Sequence, residues 1–186
     1  DGWATGLTFA SFAAFSGSLI VANGINKPLI IDSGMGCQYL NDPATGSNAN
    51  TPIAKYLLAH GRYLVMAGDP DAADRIHISS TDTSGVWVGD GSPNDSVALD
   101  LGSRVPSGSS VIKGLGSFRD KILVFFEDSI LPGTLGVFSD SDHAPTFTDA
   151  MEGHGAISHR VVQTIGEDVL FADQIGVSSV NRALFT

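Results

Sequence analysis

Cysteine is almost missing from this chain. Cys37 is the only one in 186 residues, so no intrachain disulfide can form, and the fold must hold by packing and hydrogen bonding. In its Gly-rich surroundings Cys37 reads as an incidental thiol. Positive charge is equally scarce. Ten Lys and Arg stand against twenty Asp and Glu, for a net charge of −10. A surface that grips nucleic acid needs clustered cations to displace counterions, and this composition excludes one. Long apolar runs are also lacking. Phe9 to Ala22 is broken by Ser11, Ser16, Gly17 and Ser18. It falls short of the roughly 18 residues of a membrane span, and no basic segment precedes it as in a signal peptide. The chain opens at Asp1 without Met, which reads as a processed chain or as part of a longer one.

Helix signals are few. Thr51-Pro52 ahead of Ile53 to Leu58 has the form of an N-cap and first helical position, but the run is short and reads as a strand feeding a hairpin. Asp149 to His154 has room for one helical turn. Catalytic signatures are missing too. There is no G-x-S-x-G elbow and no G-x-x-x-x-G-K-[ST] loop.

What the chain has is glycine, 22 residues of it, a hydrophobic fraction of 42%, and a hairpin that recurs four times. The copies run Gly17 to Asp32, Gly61 to Ser79, Asp120 to Ser139 and Glu167 to Arg182. Leu19, Tyr63, Ile122 and Val169 occupy equivalent points, at spacings of 44, 59 and 47 residues. Propeller blades repeat at about 40–50 residues. The longest interval holds an extra segment, Gly89 to Gly114, which reads as an added hairpin (Val97–Leu99 with Val111-Ile112) or as a surface loop.

The first strand of each hairpin is apolar at successive positions, as in Tyr63 to Met66, Ile122 to Phe126 and Val169 to Phe171. Such runs are buried on both faces. The second strands alternate, as in Arg75 to Ser79, and are half exposed. Asn23-Gly24, Gly68 to Asp71, Pro132-Gly133 and Asp173 to Gly176 supply the turns. A two-sheet sandwich should alternate more cleanly, so the pattern favours radially stacked blades over a sandwich.

A second repeat lies within the first. Ile76 to Trp87 aligns without gaps on Gly136 to Phe147, matching Ser79 with Ser139, Asp82 with Asp142 and Trp87 with Phe147. The Asp is expected to bind backbone N–H groups of its turn and the aromatic to wedge between sheets.

Chemistry-bearing residues are scattered. His60, His77, His143, His154 and His159 never gather the three or four ligands of a zinc site, and read as turn and surface residues. Asp69, Asp71 and Asp74 form a D-x-D-x-x-D run compatible with Ca²⁺, but without the glycine and terminal glutamate of an EF-hand loop. A solvated hairpin turn in an acidic protein is the preferred reading of them, as of Asp140 and Asp142. Ser158-His159 and Asp142-His143 are adjacent only in sequence, which does not make a triad.

Ser80 to Trp87 resembles the Asp-box of sialidase-type propellers, which runs Ser, any, Asp, any, Gly, any, Thr, Trp. Ser80, Asp82 and Trp87 fit. Ser84 replaces Gly and Val86 replaces Thr. In the second copy Asp142, Thr146 and Phe147 fit, while Asp140 and Ala144 do not. The box is structural in those enzymes, so the likeness speaks for a propeller more than for glycosidase chemistry.

A wider likeness covers Phe12 to Arg182. His60, Arg62, Leu64 to Met66, Gly68-Asp69, Arg75, Ser79 and Trp87 follow the order of the tail nozzle proteins (tail tubular protein B) of short-tailed bacteriophages. Further matches are Ala22-Asn23-Gly24 with Pro28, Gly114-Leu115 with Phe118, Asp120 to Phe126, and Ile157 to His159 followed by Gly166 to Phe171. The chain resembles that family in pattern, and is much shorter than its members. The resemblance implies a non-enzymatic virion protein of the phage tail. It also implies a hexameric ring below the portal and adaptor, near the fibres, with genomic DNA passing through the channel without sequence-specific binding. It carries no catalytic residue, cofactor or metal.

The expectations are therefore an all-β fold, a β-propeller or propeller section. It would form one domain over residues 1–186 with four hairpin units at 12–41, 52–91, 114–147 and 155–186. The nozzle reading comes first, a sialidase-like carbohydrate-binding or carbohydrate-active propeller second, and a propeller scaffold outside any phage third.

Overall fold

The computed structural model describes residues 9–41, 46–47, 49–87, 96–106, 110–135 and 145–183. These residues form an all-β fold, a propeller section made of four antiparallel meander sheets, here called blades. Blade 1 is β1 (Ser11–Phe15), β2 (Ser18–Ala22), β3 (Leu29–Ile31) and β4 (Cys37–Tyr39). Blade 2 is β5 (Tyr56–His60), β6 (Tyr63–Asp69), β7 (Ala72–Ile78) and β8 (Val97–Asp100). Blade 3 is β9 (Gly114–Phe118), β10 (Lys121–Phe125) and β11 (Ser129–Thr134), with β12 (Thr146–Phe147) and β13 (Met151–Glu152) both pairing β11. Blade 4 is β14 (Gln163–Ile165), β15 (Asp168–Ala172) and β16 (Val177–Ser179), followed by the short helix α1 (Val180–Ala183). The chain divides into two compact units. Blades 1 and 2 belong to the first and blades 3 and 4 to the second, with Asp100 and the residues up to Val137 in the second unit.

Each recurring hairpin is the middle of a blade, not the whole of it. A further strand precedes it, joined by a two-residue turn: Ser16-Gly17, Gly61-Arg62, Arg119-Asp120 and Gly166-Glu167. The first residue of every one of these turns has positive φ, at 50°, 57°, 55° and 61°. Such turns match the right-handed twist of the strands they join. Glycine takes this conformation without steric cost at two of the sites. Ser16 and Arg119 carry side chains into it. Arg119 lays its guanidinium carbon 5.0 Å from the Phe118 ring centroid, and Ser16 Oγ donates to the Asp82 carbonyl at 2.8 Å.

The second strands of blades 2 and 3 are buried on both faces. Leu64, Val65, Met66 and Ala67 are fully shielded, although successive residues point to opposite faces. Ile122, Leu123, Val124 and Phe125 repeat the pattern in β10. In the first unit Phe15, Ile20 and Ala22 of blade 1 share a core with Leu57, Leu64 and Met66 of blade 2 and with Trp87. In the second unit Leu123, Phe125 and Ile130 of blade 3 pack with Val169, Phe171 and Val180. The Phe125 and Phe171 rings lie 5.6 Å apart and tilted by 52°. Such pairs add about 0.5–1.5 kcal/mol beyond their buried area.

Several local expectations change. Pro132-Gly133 is not a turn. Both lie in β11, where Gly133 leaves the space that the Phe147 ring fills; a Cβ there would come within 2.5 Å of it. The chain reverses instead at Glu127-Asp128, closed by Phe126 N–H donating to the Ser129 carbonyl at 2.9 Å. Gly68-Asp69 ends β6 as a bulge, with Gly68 at φ 75°, and the turn proper is Pro70-Asp71. Val97 to Asp100 pairs with β7 as the fourth strand of blade 2, while Val111-Ile112 forms no strand. Met151-Glu152 is a short strand where one helical turn had room to form.

Trp87 wedges between the two blades of the first unit and is buried. Phe147 is also buried, but as a strand residue pairing Gly133. The two aromatics are therefore not the same device, and residues 136–144, with Ser139, Asp140, Asp142 and His143 among them, lie outside the described residues. Trp87→Ala should destabilise the first unit by about 3–5 kcal/mol, read as a lower denaturant midpoint at unchanged slope. An unchanged midpoint would mean that the indole contributes nothing to that core.

Candidate functional site

Carboxylates and amides in this chain serve mostly as turn fasteners. Asn23 Oδ1 accepts from the N–H groups of Ile25 and Asn26 at 2.9 and 2.8 Å. Asp32 Oδ1 accepts from Gly34 and Gly36, both at 2.9 Å. Asp69 Oδ1 accepts from Asp71 N–H at 2.9 Å, and Asp173 Oδ1 from Ile175 and Gly176 at 2.8 and 2.9 Å. A short side-chain acceptor that mimics a backbone turn is why Asx residues collect at these points.

That use explains the acidic run of blade 2. Asp69 caps its turn with one oxygen and meets His77 Nε2 at 3.2 Å with the other, and both side chains are largely buried. Asp69, Asp71 and Asp74 do not converge on a point. Among the described residues no group of three His, Cys, Asp or Glu side chains is placed to hold a metal ion. Cys37 is an exposed free thiol in β4.

The histidines are likewise dispersed. His60 ends β5, and His143 lies outside the described residues. His154 Nδ1 stands 3.6 Å from Asp173 Oδ2, and the Asp173 side chain is only 6% exposed. Burial opposes its ionisation most strongly. The N–H groups of Gly176 and Ile175, together with His154, outweigh burial and hold the carboxyl below its ordinary range. Ser158 Oγ caps a 3₁₀ turn by accepting from Arg160 N–H at 3.3 Å, and His159 Nδ1 faces Leu115 N–H at 3.4 Å. Gly114 lets the His159 ring in, since a Cβ there would lie 3.1 Å from Nδ1. Burial lowers the His159 pKa.

The Ser80 to Trp87 loop departs from expectation at Asp82. Its carboxylate does not bind N–H groups of its own turn. Oδ2 accepts from Arg62 Nε at 2.9 Å and from Arg62 Nη2, while Asp82 N–H donates to the Arg62 carbonyl at 2.8 Å. The hydrogen bonds hold the Asp82 carboxyl below its ordinary range and raise the pKa of Arg62. Both side chains are more than half exposed, so the pair is worth little in solution. Its effect is positional: Asp82 sits at φ 57° and the loop is fastened to the Gly61-Arg62 turn.

Two sheet faces among the described residues expose large apolar groups. One is the outward face of blade 1, where Phe12, Ala14, Leu19, Leu29 and Ile31 align by register around the buried Val21. Phe12 is 60% exposed. The other is the outward face of blade 4, where Ile165, Leu170, Ala172 and Val177 fall, together with Gln163, Asp168 and Ser179, on the side opposite the buried Val169 and Phe171. Ile165 is 59% exposed and Val177 is 74% exposed. Neither face carried a sequence signal of its own. The alternation of β1 was readable, but only the register shows which strands share its exposed side.

His159 is half-buried and its burial lowers its pKa, so protonating it opposes folding. The unfolded chain binds the extra proton first, and stability falls as pH drops below the ordinary histidine value of about 6.5. Asp173 acts in the same direction, but only below the ordinary carboxylate range. Between pH 7 and pH 5, His159→Gln should therefore flatten the decline in stability, by at most about 1.4 kcal/mol per pH unit. Urea titrations at the two pH values measure it, and an equal decline in both proteins would contradict the assignment.

No family model matches this chain, and no curated protein matches it.

Proposed function

We propose that this protein is a structural component of a bacteriophage tail, a nozzle or tail-tube element, and that it acts by assembling into a ring around the DNA exit channel. The observation that carries the reading is the pair of exposed apolar sheet faces on blades 1 and 4. Inside each unit, faces of this composition stack on a neighbouring blade. Left open, they expose large aliphatic and aromatic groups that a solitary soluble chain seldom leaves uncovered. A face from the first unit of one copy meeting a face from the second unit of the next is a head-to-tail contact, and such contacts close into rings. The resemblance to tail nozzle proteins supports a hexameric ring in the virion, beside portal, adaptor and fibre proteins. The net charge of −10 supports a wall along which phosphate slides without adhering. The activity is assembly, with no catalytic step.

Sedimentation of the purified chain, alone and as variants, tests this. The wild-type chain should form a closed oligomer at micromolar concentration. Phe12→Glu and Val177→Glu should each be monomeric while keeping their melting temperature. Mixed together they should form a 1:1 dimer, since each retains one intact face. Monomeric wild-type protein at all concentrations would defeat the proposal.

A further inference from the structure

Within the first unit lies a cleft of about 610 Å³, bounded by β3, the edge strand β4 and the residues after it in blade 1, and by the Ser80 to Trp87 loop of blade 2. Its volume falls in the range of small-ligand sites, roughly 300–1,000 Å³. Ile30 and Leu40 give it an apolar floor; Gln38, paired with Ile30, and Asn41 line one side; Asp82 and Ser84 line the other. Ser16 sits at the rim.

The polar groups here differ from those elsewhere. Asn23, Asp32, Asp69 and Asp173 spend their side chains on turns. In the cleft the Gln38 and Asn41 amides, the Ser84 hydroxyl and Asp82 Oδ1 make no hydrogen bond among the described residues. Asn41 and Ser84 are half buried all the same. Ser16 and Asp82, two of the four non-glycine residues with positive φ, both line it. A hydrogen bond of 2.8 Å from Ser16 Oγ to the Asp82 carbonyl ties these two strained positions together. Strain of this kind persists where surrounding structure enforces a local shape.

We infer that this cleft binds a neutral polyhydroxylated ligand, a mono- or disaccharide. Amides and a hydroxyl offer both donors and acceptors, which suits a ring of hydroxyl groups. The Asp82 oxygen accepts from one more hydroxyl. The apolar floor takes the C–H face of the sugar. An anion is poorly served, since no lysine or arginine lines the cleft and the nearby Arg62 guanidinium is held by Asp82. With no aromatic platform, affinity falls in the millimolar range, about 4 kcal/mol at the 1 mM mark.

The test is a ¹⁵N-detected titration of the whole chain with maltose and with mannose, with inorganic phosphate and sialic acid as charged comparators. The neutral sugars should shift the Gln38 and Asn41 side-chain amides and the Ser84 backbone amide in a saturable way. Gln38→Ala and Asn41→Ala should each weaken binding by about tenfold, the factor for one hydrogen bond of about 1.4 kcal/mol. Neither should change the melting temperature, because neither side chain hydrogen-bonds another described residue. Saturable shifts confined to other residues, no shift up to about 100 mM sugar, well above the expected millimolar range, or equal response to phosphate and sialic acid would each overturn the inference.

Discussion

The structure depends on a strand with apolar side chains on both faces. A sheet with such a strand at its centre cannot be stable with one side wet, because successive side chains point in opposite directions and both sides must leave water. Burying one large apolar side chain contributes about 1.5–3 kcal/mol, and β6 and β10 each bury several in a row. That requirement fixes the next level of structure. A blade needs a partner for each face, so within each unit two blades share a core, blades 1 and 2 in the first and blades 3 and 4 in the second. The apolar outward faces of blades 1 and 4 follow from the same rule that makes the cores.

The acidity of the chain has two consequences at different scales. Locally, carboxylates close turns: Asp32, Asp69 and Asp173 each accept backbone N–H groups, and the buried Asp173 remains ionised because two such bonds and His154 offset its burial. Globally, the surplus of carboxylates repels phosphate. Three of the side chains singled out in the sequence have structural partners. Ser158 caps a turn, His159 sits against β9, and Asp82 holds Arg62.

Much of the fold was legible in the sequence, and the reasons are physical. Runs such as Ile122 to Phe126 announce two-sided burial, and equivalent points every 44 to 59 residues announce repetition. What stayed hidden was local or long-range. Pro132-Gly133 has turn composition but lies in β11, because the Phe147 ring needs the space that glycine leaves, and Phe147 is 14 residues away in sequence. The opening strands of blades 1 and 3 were missed because Ser16-Gly17 and Arg119-Asp120 lack the Asn-Gly signature of a tight hairpin, while that of blade 2 was read in part from Ile53 to Leu58. The cleft was illegible altogether. Gln38, Asn41 and Ser84 carry no motif, and only the packing of one blade on the next brings them to a common space. The likeness to an Asp-box pointed to the right loop, but its aspartate serves a different partner.

The central claim is that the open faces of blades 1 and 4 are covered when copies assemble. Amide hydrogen exchange at low and high protein concentration reads this directly. The account predicts that protection of Phe12 to Ala14 and of Val177 to Ser179 rises with concentration, while the central strand β6 is protected equally at both. Protection of those outer segments that is unchanged by concentration would contradict it.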